Sequence, residues 1–497
     1  MEVPVFIKHS GKALAMGVKK LPFFYLCFII MSAKRPSEDR AMNKLIRRAA
    51  AAAFALFAAF GAASGAEAQL KAGAAAADIT PDLGCYLGGY YHIFETAKGV
   101  HDPLHTRILA LSQGDETVLL IANELIMTGG VFALEIKERI EKEYGIPPRN
   151  VMITAGHTHA GPEGYYEEFG KYPKEYNPEM KKKLQDKILA AAGQALAAME
   201  PARAGTAFIS LEGLSRNRRI SGGTVDPLGL LLVARALDGR PIGGFLNFSA
   251  HPTIVNAGEL LISSDWLGTF SEEMSKAMGG GVFLFIQGAN GDISPAGGEG
   301  ADGWERARSY GAKLAAATSP NIETVALSEN FPVGGAMREM IFPVRTMKSM
   351  GEFRAAIPEK TEIIRNSDMS EDEKDDRIKM LQARLGVESF IMPLVKTMSR
   401  VKGGRTRTWV QALRLGDAYA VALPGEPVAD VGLQTRAALA PLKTALFGYA
   451  NDHLAYISTR KIYEEGGYEA GMGLVFPEAT EGMMAAGVEM ALELSKK

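Results

Sequence analysis

Thr117-Val118-Leu119-Leu120-Ile121-Ala122, then VFALEIKERIEKEY over 131–144 ended by Gly145, then Val151-Met152-Ile153-Thr154-Ala155, form the stretch that decides the fold. The two outer segments are continuously apolar, as strands buried on both faces are. The middle segment is an amphipathic helix stopped by glycine. The same rhythm returns downstream, where Gly243–Phe248 and Val282–Ile286 read as buried strands around a helix predicted over Ser264–Met278. A further helix is predicted over Lys181–Met199, stopped by Pro201, and a hairpin over Arg405–Leu415 and Ala418–Leu423 about Gly416-Asp417. This pattern predicts an α/β fold: a mixed β-sheet core flanked by helices in one large domain, with no internal repeat. Residues 348–400, which contain SEDEKDDRIKMLQARL, read as a solvated helical insertion, and the last twenty residues read as a helix.

The chain has 497 residues, 47% hydrophobic and 23% charged, which excludes a disordered chain and a disulfide-rich miniature. Its 55 Lys+Arg balance 57 Asp+Glu, so nucleic-acid binding through bulk positive charge is excluded. Residues 42–68, MNKLIRRAAAAAFALFAAFGAASGAEA, have a basic start, an apolar stretch and the small-x-small ending Ala66-Glu67-Ala68. This layout predicts a secretory signal peptide and a secreted or periplasmic product spanning 69–497. Residues 1–41 then read as a gene-model extension or an extra leader, with an uncleaved N-terminal anchor as the alternative. Beyond residue 68 no stretch is long and apolar enough to span a bilayer. Of Cys27 and Cys85 only Cys85 would remain, so no intramolecular disulfide is expected.

The chemistry collects after the buried strands. Gly156-His157-Thr158-His159-Ala160-Gly161-Pro162 follows the strand at 151–155. In extended backbone His157 and His159 would project to one side, into the loops where α/β sites form. Asn247-Phe248-Ser249-Ala250-His251-Pro252 also follows an apolar strand. Three histidines behind two buried strands fit a catalytic zinc pattern, three protein ligands and an open position. Leu423-Pro424-Gly425-Glu426-Pro427 offers a carboxylate aimed inward, or a glutamate at a helix N-terminus. Gln287-Gly288-Ala289-Asn290-Gly291-Asp292-Ile293-Ser294-Pro295 is small enough for close backbone approach and for an anion-binding nest, and it lacks the ending of a P-loop. Arg216-Asn217-Arg218-Arg219 is a solvated basic run or holds one buried arginine that grips a carboxylate or carbonyl.

These motifs, in this order, resemble the neutral/alkaline non-lysosomal ceramidase family. The likeness begins at Ala77-Asp78-Ile79-Thr80-Pro81 with Gly88-Gly89-Tyr90 and continues through Gly99-Val100-His101-Asp102-Pro103-Leu104. It includes Gly145–Val151 with the His157–Pro162 block, and Tyr449-Ala450-Asn451-Asp452, Tyr456-Ile457-Ser458-Thr459 and Tyr468-Glu469. The resemblance implies a zinc site held by His157, His251, Glu426 and Tyr456. It implies active-site roles for His159, for Arg218 with Arg216 as its rival, and for Tyr468. Two departures stand out. Gly288 occupies the position where the family carries a serine, and the chain stops where ceramidases continue into a C-terminal β-sandwich.

The expected reaction is hydrolysis of an amide or ester in a small-molecule or lipid substrate by zinc-activated water, which needs no serine at 288. His159, Arg218 or Tyr468 would stabilise the oxyanion, or His159 would protonate the leaving group. The rivals are a carbohydrate deacetylase, lactonase or phosphoesterase on the same fold, and a binding protein without turnover.

Overall fold

The apolar runs become interior strands of an eight-stranded mixed sheet in the computed structural model, which describes residues 68–89, 95–167, 175–395 and 397–497 together with strands Lys8–His9 and Lys12–Ala13. Those two short strands pair antiparallel within a unit of their own, Met1–Ala66. The expected signal peptide and extra leader otherwise lie outside the described residues. The second unit, Glu67–Lys497, holds both large sheets.

In the first sheet the strands are β1 (Lys71–Asp78), β2 (His105–Gln113), β3 (Glu116–Asn123), β4 (Val151–Ala155), β5 (Glu200–Ser210), β6 (Leu228–Ala236), β7 (Pro241–Phe248) and β8 (Val282–Gln287). They lie in the order β8-β7-β6-β5-β1-β2-β3-β4. The outermost pairs, β3–β4 and β7–β8, are parallel; the rest are antiparallel. The second sheet has β9 (Val333–Pro343), β10 (Arg405–Leu415), β11 (Ala418–Ala422) and β12 (Lys443–Phe447) in that order, with only β11–β12 parallel.

Two buried faces explain the continuous apolar runs. Leu119 and Ile121 of β3 pack against Phe132, Ile136 and Ile140 of α1 (Gly130–Tyr144) and Leu184 and Ile188 of α2 (Pro178–Ala197). Val118, Leu120 and Ala122 point the other way, into a layer shared with Leu413, Ala420 and Phe447 of the second sheet. On the far half, α3 (Leu267–Met278) and α4 (Gly303–Thr318) cover Phe283 and Phe285. Behind the second sheet lie α7 (Ala429–Ala438) and the C-terminal α8 (Pro477–Ser495). The layers therefore run helix, sheet, sheet, helix, the α/β class the pattern predicted.

The topology repeats although the sequence carries no internal repeat. β1-β2-β3-α1-β4, β5-β6-β7-α3-β8 and β9-β10-β11-α7-β12 are each an antiparallel meander followed by a helical crossover to a parallel fourth strand. A repeat held by strand pairing needs only alternating burial, so the side chains diverge and leave no sequence periodicity. In each unit the loops leaving the parallel pair converge on one place.

Local differences from expectation have local causes. α2 begins at Pro178 because Asn177 caps it, its side chain accepting from Met180 N; it ends at Ala197, and Pro201 lies inside β5. α3 starts at Leu267 rather than Ser264, because Asp265 has left-handed backbone with φ 59°. The insertion forms α5 (Met347–Arg365) and α6 (Glu371–Val395), and it is not only a solvated face: Arg384 and Glu388 of α6 are buried, with Glu388 shared by Arg384 and Arg345. Trp266, Tyr165 and Tyr166 are core residues, while Trp304 stacks on His101 at the wall of a surface cavity.

One core residue carries a stability prediction. Lys137 of α1 is buried, and among the described residues its Nζ reaches Pro148 O at 3.4 Å and Met337 Sδ at 3.5 Å. Burial without a carboxylate pushes its pKa down to about 7. The folded chain then binds fewer protons than the unfolded chain between about pH 7 and 10.5, so stability rises with pH through that window. Lys137→Met is expected to be more stable than the parent at pH 7 by roughly 2–4 kcal/mol. The gap should narrow toward pH 10, as read from urea unfolding across the range. An unchanged gap would mean that Lys137 is not desolvated.

Candidate metal centre

The residue after each third or fourth strand points at one centre. His157 lies two residues beyond β4, His251 three beyond β7, and Glu426 four beyond β11. His157 Nε2 is 3.0 Å from His251 Nε2 and 3.1 Å from His159 Nε2. Glu426 Oε2 lies 3.5 Å from the first of these nitrogens and 3.6 Å from the second. The three imidazoles form a group whose ligand atoms all lie within 4.8 Å of one another.

The reason His157 and His159 meet differs from the expectation. His157 is not extended; its φ is 73°, a left-handed conformation that costs a non-glycine residue on the order of 1–2 kcal/mol. Tyr449, Asn451 and Ala455 are also left-handed, with φ of 52°, 64° and 55°. Strained backbone therefore gathers where the loops converge, as it does when a fold over-determines a site.

The ring tautomers follow from the backbone. His157 Nδ1 is 2.5 Å from Ile126 O, and His251 Nδ1 is 3.1 Å from Asn290 O. A carbonyl oxygen only accepts, so each Nδ1 carries the hydrogen and each neutral ring turns an Nε2 lone pair inward. Burial, then the Arg218 cation and the neighbouring His157 ring, hold the His251 pKa well below the ordinary imidazole value. Burial, then His157, does the same to His159. Burial alone would raise the Glu426 pKa, but His157, His453 and His251 outweigh it and keep the carboxylate ionised. Two inward lone pairs 3.0 Å apart repel unless a cation lies between them, and a carboxylate oxygen faces both.

Glu426 is not at a helix N-terminus. The short strand Glu426–Pro427 pairs in parallel with Tyr456–Ile457, which sets Glu426 opposite Tyr456. Arg218 Nη2 donates to Tyr456 Oη at 2.8 Å and to Gly291 O at 2.7 Å, while its Nε donates to Glu469 Oε1 at 3.0 Å. Burial works against the Arg218 cation, but Tyr456, Glu469 and Glu426 hold it ionised. Arg216 is exposed on the neighbouring bridge, so of the two rivals it is Arg218 that reaches the centre. Tyr468 is half-exposed, its ring edge-on to Tyr456 with centroids 5.5 Å apart. All seven residues singled out in the sequence thus fall in one neighbourhood.

Three N–H groups of the Gln287–Pro295 loop are already engaged by backbone carbonyls. Its Gly288, Gly291 and Ile293 N–H groups donate to Phe248 O, Pro427 O and Asn290 O. It serves instead to orient, since Asn290 takes the His251 proton on its carbonyl and the Tyr449 hydroxyl on its side-chain oxygen at 2.7 Å. Gly288 has a steric reason: a Cβ there would lie 2.5 Å from Ser249 Oγ, so a serine at 288 requires Ser249 to move.

Tyr449, Asn290, Glu469 and His453 are site residues that the sequence reading did not assign. The Tyr449 ring lies against that of His157, tilted by 32° with centroids 4.3 Å apart, and its hydroxyl oxygen is 3.3 Å from Glu426 Oε2. Glu469 joins Arg218 to Arg219, each at 3.0 Å. His453 Nε2 lies 3.5 Å from Glu426 Oε1. Three of these stand in or beside the late tyrosine block, and His453 could have been found as one of only eight histidines.

A family profile described as neutral/alkaline non-lysosomal ceramidase, N-terminal, matches residues 70–303, which include His157, His159, Arg218 and His251. The neutral ceramidase of Mycobacterium tuberculosis is 25% identical over 484 residues, covering 82% of this chain and 74% of that protein. Neutral ceramidase 2 of Arabidopsis thaliana is 34% identical over 93 residues, 18% of this chain and 12% of that one. The crystal structure of neutral ceramidase from Pseudomonas aeruginosa superposes with a TM-score of 0.69 at 21% identity, covering 86% of this chain and 75% of that one. A structure described as ceramidase complexed with C2 gives 0.67 at 20% identity, covering 86% and 76%. Among the described residues no helix is long and apolar enough to cross a membrane. By motif order, profile and fold together, this chain is similar to the neutral/alkaline ceramidases.

Proposed function

We propose that the chain is an exported, zinc-dependent hydrolase that cleaves the amide bond of an N-acylated lipid. The observation that carries this reading is the pair of inward Nε2 lone pairs on His157 and His251, 3.0 Å apart and faced by the Glu426 carboxylate. Nitrogen and oxygen donors of this kind suit zinc. His157, His251, Glu426 and Tyr456 would hold the ion, and a zinc ion held there supplies Lewis-acid activation of water and of the acyl carbonyl.

The chain's own groups complete the reaction. Arg218 has Nε and Nη2 committed to Glu469, Gly291 and Tyr456, which fixes the guanidinium so that Nη1 can donate to the developing oxyanion. His159, half-buried at the edge of the centre, takes a proton from the attacking water and passes it to the departing nitrogen. Tyr468, half-exposed at the rim, contacts the substrate as it enters. In balance, water adds to the acyl carbon, the C–N bond breaks, and a carboxylate and an amine leave. No step calls on a hydroxyl at position 288, in keeping with the crowding by Ser249.

That crowding also supports a second reading, a different acyl or phosphoryl bond on the same fold. A panel of N-acylsphingosines, N-acetylated sugars, lactones and phosphomonoesters, followed by mass spectrometry on zinc-loaded protein, separates the two. Turnover of the acylsphingosines is expected. Turnover confined to esters or phosphoesters would overturn the amide assignment, and bound zinc with no turnover of any substrate would favour a binding protein.

A further inference from the structure

Glu426 gives its two oxygens to different partners. Oε2 faces His157 and His251 and lies 3.3 Å from the Tyr449 hydroxyl oxygen, while Oε1 faces His453 Nε2 at 3.5 Å. His453 is buried, and its ring lies nearly parallel to that of Tyr449, 19° apart with centroids separated by 5.9 Å. The Tyr449 ring in turn lies against that of His157, tilted by 32°. The backbone of His453 is pinned from behind: its N–H donates to Asp452 Oδ1 at 2.8 Å, and its carbonyl accepts from Arg400 Nη1 at 2.8 Å. Arg400 also grips Asp452, at 3.1 and 2.6 Å. The imidazole therefore has little freedom to leave the carboxylate.

We propose that His453 is a positioning residue that holds the second oxygen of Glu426, so that this carboxylate offers a metal Oε2 alone. An ionised carboxylate only accepts, so His453 must present Nε2–H to it. With Oε1 engaged, Glu426 cannot swing to grip an ion through both oxygens, and the site keeps one position open for water or substrate. The inference rests on the metal-site reading for its consequence, but not for the His453–Glu426 contact itself.

The ring stack and the hydrogen bond can be separated. His453→Phe keeps the stack on Tyr449 and removes the donor; His453→Gln removes the ring and retains an N–H donor. Zinc affinity, read by competition with a chromogenic chelator, is expected to fall about 10- to 100-fold in His453→Phe. It should fall only severalfold in His453→Gln, and KM should move less than kcat in both. Equal affinity for parent and His453→Phe would overturn the assignment, as would equal losses in the two variants. Should His453→Phe fail to fold, nitrogen-15 NMR of histidine-labelled parent protein decides: the proton on His453 belongs on Nε2, and an Nδ1–H tautomer sinks the proposal. Failure of the metal reading looks different, since the parent itself would bind no zinc while His453 kept its Nε2–H.

Discussion

His157→Gly is expected to bind no zinc after dialysis and to show no turnover, yet to fold at least as stably as His157→Ala. The imidazole supplies the central nitrogen of the group, 3.0 and 3.1 Å from its two neighbours. Removing it leaves His251 and Glu426 without the donor that joins them. Alanine and glycine differ for a separate reason. At φ 73° alanine keeps the left-handed penalty and glycine does not, so glycine should be the more stable by about 1 kcal/mol. Inductively coupled plasma analysis, an activity assay and urea unfolding of the two variants test the three parts. Zinc retained in either variant would show that the centre is not built on His157. A less stable glycine variant would show that the strained backbone is not what the side chain holds in place.

Glu388→Gln is expected to cost about 3–5 kcal/mol of stability, the second large effect. Glu388 is fully buried, and its Oε1 is shared by Arg384 Nε at 2.8 Å and Arg345 Nη2. Burial already pushes the Arg345 pKa down to about 10, so neutralising the carboxylate strands two cations in the interior. The consequence reaches the site. Arg345 Nη1 donates to Ala470 O at 2.6 Å and Gly473 O at 2.8 Å, clamping the short helix Gly467–Met472 that carries Tyr468 and Glu469. Glu469 in turn steadies Arg218. A fall in kcat with unchanged zinc affinity is therefore expected alongside the lower urea midpoint. Unfolding indistinguishable from the parent would mean that the insertion is not tied to the site through this cluster.

Gly288 now has a neighbour that explains it, since Ser249 Oγ occupies the space a serine side chain would enter. His453 bears on the same site from the opposite direction, through the outer oxygen of Glu426.

The sequence by itself determined the strands, because a strand buried on both faces must be apolar throughout, and Val151–Ala155 and Val282–Ile286 had no other reading. It also marked His157, His159 and His251, whose rarity and place behind those strands are local facts. Only the tertiary structure decided that Glu426 faces His157 and His251, because those contacts join residues more than 150 positions apart across two sheets. It alone decided the threefold recurrence of the topology, which backbone pairing preserves while side chains drift. It decided, finally, that His157 reaches the centre through a left-handed turn and that His453 backs Glu426, since neither a dihedral angle nor an approach between distant loops is written in the spacing of residues.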